Sequence, residues 1–323
     1  MTGMTLALAV VLVAGSAFSY ALPRTSLAPI TGAALWLAIL YLRAVLVSIA
    51  ALTIAFYVPT TPLFEVLTRW CAHAALPFIT SHLGLSGHGI GDAAIMLPAF
   101  VIAISAGCVV LAVARTTRAM RRWLKRSSLG TGPDESVIVG GEEVVVAAAG
   151  IRSPKIIVST GALARLDEDE LAASIAHERG HITRRHPFIV LAANLAYAVA
   201  RPMPGTKDAF QRLRFCLERD ADEYAVDRTR DPIALASAIC KAAVDSPTPN
   251  VALATLAGSG APARLRLLLD RPATRPKAWV EIVGRSLVVV TVASVLLAVG
   301  ATPTLAKNGH AALHASPPAH SCD

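Results

Sequence analysis

Ten residues, His177 to His186, read HERGHITRRH and hold three of the chain's nine histidines. On a helix, residues four apart lie one turn above each other on the same face, so His177 and His181 can present two imidazoles to one metal ion. Glu178, one position on, sits beside such an ion rather than on it, where it can take the proton of an activated water. Catalytic zinc takes three protein ligands and keeps one position open, so a further ligand must come from elsewhere. The stretch LERDADEYAVD offers one: Glu218 and Asp222 are again four apart on an expected helix. Glu218 can complete a His-His-Glu set, and Asp222 can accept a hydrogen bond from a ligand imidazole and fix its tautomer. Glu223, Asp220 and Asp227 stand as substitutes for Glu218, and an acidic solvated helix is the plain alternative. The chemistry implied is zinc-assisted hydrolysis of a peptide bond, with Zn2+ as cofactor and Glu178 as base, then as acid toward the leaving amine. Arg184, Arg185 and His186 read as a solvated helix end.

These groups need elements to hold them. In LDEDELAASIAHERGH, Asp167 is a good N-cap and Glu170 completes a capping box. The acids of that first turn suit the helix dipole. Leu171, Ile175 and Ile182 form one stripe, and the helix should run to about His186, where Pro187 ends it or starts the next. Upstream, two short strands are expected at Val144 to Ala149 and Lys155 to Ser159, joined by a turn containing Gly150 and Pro154. Their edge could pair with a substrate backbone. Ser127 to Ser136 reads as a polar, Gly-rich linker. Downstream, helices are expected over Phe188 to Ala200, Lys207 to Thr229 and Pro232 to Val244, and APARLRLLLDRP should form a last amphipathic helix.

Around this polar segment the chain is mostly aliphatic. Of its 323 residues 54% are apolar and 16% charged, against a charged fraction of about 25% in soluble domains, which points to a membrane protein. Apolar runs at 4–22, 27–58, 93–114 and 286–304 are each long enough to span a bilayer. The second exceeds one span and contains Arg43, expected to snorkel or to face other helices. The first lacks the positive start of a cleaved signal peptide. Arg115, Arg118, Arg121, Arg122, Lys125 and Arg126 follow the third run with no acid among them, which marks that end as cytoplasmic. The expected layout is therefore a mainly α membrane protein: residues 1–114 with three spans and an outer loop 59–92, an α+β metallopeptidase domain over 115–285 on the cytoplasmic side, a fourth span at 286–304, and an outer tail at 305–323. The net charge of +8 is concentrated beside a span, so direct nucleic-acid binding is not expected.

The remaining histidines, His73, His82, His88, His310, His314 and His320, fall with Cys71 and Cys322 in the outer segments. Scattered surface residues are the plain reading; an outer metal- or redox-responsive patch is the sharper one. No CxxC pair is present among the five cysteines, which excludes a zinc ribbon.

SPKIIVSTGALARLDEDELAASIAHERGHITRRHP, followed by LERDADEYAVD, resembles the gluzincin-type integral-membrane metallopeptidases. The layout is most similar to the β-lactam sensor-transducer (antirepressor) peptidases, with the heat-shock HtpX-like and CAAX prenyl protease families as near alternative. The resemblance covers residues 115–275 by motif and the rest by layout. It implies zinc ligands at His177, His181 and Glu218, the base at Glu178, and the family's downstream aspartate at Asp222. It implies a zincin-like fold and, as partner, a cytoplasmic transcriptional repressor cleaved in a signal response. A constitutive quality-control protease of the HtpX type, or an inactive receptor or scaffold, would use the same frame. Only residues 305–323 follow the fourth run, with no SxxK motif among them, so direct β-lactam acylation is not expected. The partners expected are thus a protein substrate and the lipid bilayer, with a homo-oligomer as a further option.

Overall fold

The computed structural model describes residues 27–57, 87–150, 153–245, 260–270, 278, 281–293 and 296. The first apolar run, most of the loop at 59–92, the end of the fourth run and the tail lie outside them. So do all the outer histidines except His88, and Cys71 and Cys322.

Two long helices come first, α1 (Pro29–Tyr57) and α2 (Gly87–Ser127). The second begins inside the segment expected as outer loop and continues unbroken through the basic cluster. A four-stranded mixed sheet follows, with β1 (Ser128–Thr131), β2 (Val137–Val139), β3 (Val146–Ala149) and β4 (Lys155–Ser159) in the order β1-β2-β4-β3. β2 and β4 are parallel and the two outer pairs antiparallel. The segment expected as linker thus supplies a strand, β1. Its polar sequence hid it, because all four residues are exposed at a sheet edge and need no apolar alternation.

Six helices follow up to residue 269: α3 (Thr160–Arg165), α4 (Glu168–Thr183), α5 (His186–Ala200), α6 (Thr206–Thr229), α7 (Pro232–Asp245) and α8 (Ala261–Leu269). α4 starts where the sequence says it must. Asp167 accepts from the Glu170 N–H at 2.8 Å and the Glu170 carboxylate accepts from the Asp167 N–H at 2.9 Å. Glu170 also receives Lys241 at 2.6 Å and Ser237 at 2.5 Å, which ties α4 to α7. Asp231 caps α7 by accepting from the Ile233 and Ala234 N–H groups, each at 2.9 Å.

One core lies between the sheet and helices α4, α6, α7 and α8, built on Val146, Val158, Ile175, Val226, Leu235 and Ile239. A second joins α1 to α5 and α6 through Leu35, Trp36, Ile39, Leu40, Ala193, Ala196, Leu213 and Leu217. At Gly32 a Cβ would come within 2.9 Å of Cys216 Sγ, so a glycine here lets α1 press directly on α6. Arg43 is fully buried and donates to Pro204 O at 2.8 Å and Thr206 Oγ1 at 3.2 Å in the α5–α6 connection. It faces other helices, as the sequence allowed, and does not snorkel.

Among the described residues, two helices are long and apolar enough to cross a membrane: Pro29–Ala51 of α1 and Phe100–Ser127 of α2. They differ in kind. The apolar window of α1 is half buried against α5 and α6, whereas that of α2 is not buried at all and exposes Phe100, Val101, Ile104 and Val110. Residues 281–293 are helical and also expose Val283, Val289 and Val290. Their start is tied to the start of α1, since Glu281 accepts from the Thr31 hydroxyl and from the Ala28 N–H.

Candidate metal centre

α4 and α6 pack face to face, and the contact is close because Gly180 lies opposite Ala221. A Cβ on Gly180 would stand 3.2 Å from Tyr224 Cβ and 3.3 Å from Ala221 Cα. The glycine of HERGH therefore sets how near the two histidines come to the downstream carboxylates. Gly180→Val should drive the helices apart, lowering stability by about 1–3 kcal/mol as overpacking and weakening metal binding with it. Thermal unfolding and a chelator competition check this; unchanged metal affinity would show that helix spacing does not set the site.

Nε2 of His181 lies 3.2 Å from Nε2 of His177, 3.8 Å from Glu218 Oε1, and His177 Nε2 lies 3.6 Å from Glu218 Oε2. Two ligands at zinc–ligand distances of about 2.0–2.1 Å in a tetrahedral set are separated by about 3.3 Å. The donor set thus fits a zinc ion, and its one-ligand-atom groups all fall within 4.8 Å of one another. His177 and Glu218 are buried and His181 is half-buried. Of the proposed substitutes, Glu223 and Asp227 are exposed on the far side of α6, and Asp220 points to His186 instead.

Behind each imidazole stands a support. His177 Nδ1 is 3.0 Å from Asp222 Oδ1, though the angle falls short of a linear hydrogen bond. Asp222 in turn receives two bonds from Arg264, at 2.6 and 2.8 Å, and the same guanidinium reaches Glu218 Oε2 at 2.9 Å. Arg264 is fully buried on α8. It holds the Glu218 and Asp222 carboxylates together, and the sequence carried no local sign of it: its partners are 42 and 46 residues away. Glu178 is buried and accepts from the Ala148 N–H of β3 at 2.7 Å. β3 is the sheet's edge on this side, so this N–H is turned toward the site rather than into the ladder. Tyr224 is packed between Arg184 and Arg228, with Arg228 donating to its hydroxyl.

Without metal, the charges settle unevenly. Burial works against a charged His177, but the Asp222 and Glu218 carboxylates beside it prevail and raise its pKa to about 9. Burial, then the His177 charge, pushes His181 down to about 3. Glu218 is held well below the usual carboxylate range: burial opposes this, but the adjacent His177 and the Arg264 charge outweigh it. Burial lifts Glu178 to about 7 against the pull of His177 and the Ala148 N–H.

Glu178 gives a signed prediction. Folded, it keeps its proton to about 7; unfolded, it releases it near 4.5. Between these values the folded metal-free protein binds more protons, so the group's stability contribution is full below about 4.5 and is lost as pH rises through about 7. Thermal unfolding with chelator at about pH 5 and about pH 7.5 should show a larger loss in wild type than in Glu178→Gln. Parallel losses would contradict the raised pKa.

Two imidazoles and a carboxylate converging from two helices, with a buried glutamate alongside, define a metallopeptidase type of centre. The comparison with known families agrees. Residues 112–214 match the model of peptidase family M48, whose members are zinc-dependent, and this supports a gluzincin-type metallopeptidase. The matched segment includes His177, Glu178 and His181 and ends before Glu218 and Asp222, so these two stand on the geometry alone. No curated protein matches the chain.

Proposed function

We propose that the chain is a membrane-bound zinc metalloendopeptidase that hydrolyses peptide bonds of a cytoplasmic protein, a transcriptional repressor in a signal-response pathway. The observation that carries the peptidase reading is the convergence of His177, His181 and Glu218 at one point beside Glu178 and the free edge of β3. His177, His181 and Glu218 would hold the ion. Bound there, zinc lowers the pKa of a water and polarises the scissile carbonyl. Glu178 takes the water's proton and returns it to the leaving amine. The edge of β3 receives the substrate backbone as an added strand. Asp222 orients His177, and Arg264 orients both Asp222 and Glu218.

Membrane insertion in this proposal uses four spans, α1 and α2 joined by the first and fourth apolar runs, with the site on the cytoplasmic side. The uncovered apolar surface of α2 supports it, as does the basic cluster at 115–126 on that helix's end. The bond between Glu281 and Thr31 supports it too, since it sets the starts of two spans at the same level. The basic cluster then faces lipid headgroups and binds no nucleic acid. The repressor substrate rests on the resemblance to the sensor-transducer peptidases.

Comparative proteomics of cells carrying wild type or Glu178→Ala tests the reading. Loss of one fragment of a cytoplasmic regulator supports it. Loss of fragments from many membrane proteins indicates quality control of the HtpX type. No Glu178-dependent cleavage leaves a scaffold or receptor.

A further inference from the structure

The end of the opening motif, ITRRH, carries a second device that the reaction above leaves unused. α4 stops at Thr183, and Arg185 takes a left-handed conformation with φ 55°, uncommon for a residue with a side chain. That break turns the next residue inward. His186, read from sequence as part of a solvated helix end, is buried at 1% exposure. Arg184 is half-buried, and of the three only Arg185 is exposed. The reason is a partner the local sequence does not show. His186 Nε2 lies 3.0 Å from Asp220 Oδ2, itself buried at 2%, and Arg184 bonds both the backbone carbonyl of Asp220 and its Oδ1. On its other side His186 Nδ1 lies 2.8 Å from His181 Nδ1, with the rings edge to face at 75°.

We propose that His186 and Asp220 are positioning residues for His181, locking its imidazole in the tautomer and orientation that turn Nε2 toward His177 and Glu218. The inference rests on the zinc-site reading. Its logic is a count of protons. Between two Nδ1 atoms 2.8 Å apart, only one can carry the hydrogen. The Asp220 carboxylate is acceptor-only, and Arg184 keeps it in place, so a neutral His186 carries its hydrogen on Nε2. Its Nδ1 is then a lone pair, and the hydrogen between the rings belongs to His181 Nδ1. His181 Nε2 is left as a lone pair aimed at the metal position. His177 has the same provision in another form, Asp222 held by Arg264. Each ligand imidazole is thus backed by an aspartate pinned by an arginine, directly for His177 and through a third histidine for His181. A strained backbone at Arg185 is what brings that histidine into reach.

The test uses the full chain in detergent or nanodiscs, with zinc affinity measured by chelator competition and the site geometry by cobalt absorption. His186→Phe keeps the bulk and removes the acceptor. It should raise the zinc dissociation constant about 10–100-fold and shift the cobalt spectrum. His186→Gln, which restores an acceptor oxygen, should recover most of the affinity. Asp220→Asn, which removes the charge that orients His186, should weaken zinc in the same direction and serves if His186→Phe does not fold. Wild-type affinity and spectrum in folded His186→Phe overturn the proposal. So does equal weakening in His186→Phe and His186→Gln, since a merely structural role would not tell them apart. Failure of wild type to bind zinc removes the zinc site itself, and this inference with it.

Discussion

Glu178→Gln should lower peptide hydrolysis about 10²–10⁴-fold, the span usually carried by a positioned general base. Zinc affinity should change little, because the glutamate sits beside the three candidate ligands and not among them. The substitution keeps the side chain's shape, and its amide oxygen can still accept from the Ala148 N–H, a bond now 2.7 Å long. What it removes is the capacity to hold and return a proton. Fragment abundance measured in cells, with zinc content measured on the purified protein, separates the two effects. Full cleavage with Gln at 178 would place the base elsewhere. Loss of zinc together with cleavage would mean that Glu178 ligates or builds the site.

Arg264→Met should be the most damaging change outside the ligand set. Arg264 is buried with two carboxylates, Glu218 at 2.9 Å and Asp222 at 2.6 Å. Removing it leaves His177 to balance both buried carboxylates, and breaking a buried pair in this way costs about 3–5 kcal/mol. The effect should depend on metal. A divalent cation on Glu218 replaces part of the lost positive charge, so zinc should restore more stability to Arg264→Met than it adds to wild type. Unfolding curves with and without zinc read this difference directly. Arg264→Lys should fall between, since an ammonium keeps the charge but not the two-pronged geometry that spans both acids. If zinc stabilises wild type and Arg264→Met equally, Arg264 does not act on the metal position.

The residues behind these two substitutions differ in how far they could be read from the chain. HERGH and its cap at Asp167 were legible, because a cap and an i, i+4 pair depend only on residues within one turn. Strands β3 and β4 were legible as two short apolar runs on either side of Gly150 and Pro154. β1 was not, since an exposed edge strand has no apolar face to betray it. Gly180 lay in plain view inside the motif, yet its task appears only when Tyr224 and Ala221 are set against it. α1 read as a span whose Arg43 snorkels or faces other helices, and its buried face proves to share a core with the helix that carries Glu218.

The sequence by itself determined the kind of chemistry: two imidazoles and a glutamate on one capped helix, and a second helix with acids four apart. The tertiary structure decided which acid joins them and what holds every member still. Glu218 turns to the histidines, Asp220 to His186, and Glu223 and Asp227 to solvent, although all four stand on one helix. Arg264 and His186 gain their roles from partners 42 and 34 residues distant. Local rules fix which face a side chain shares with its neighbours in the helix. The element that arrives on that face is set only by packing, and here packing brings in the charges that a buried metal site requires.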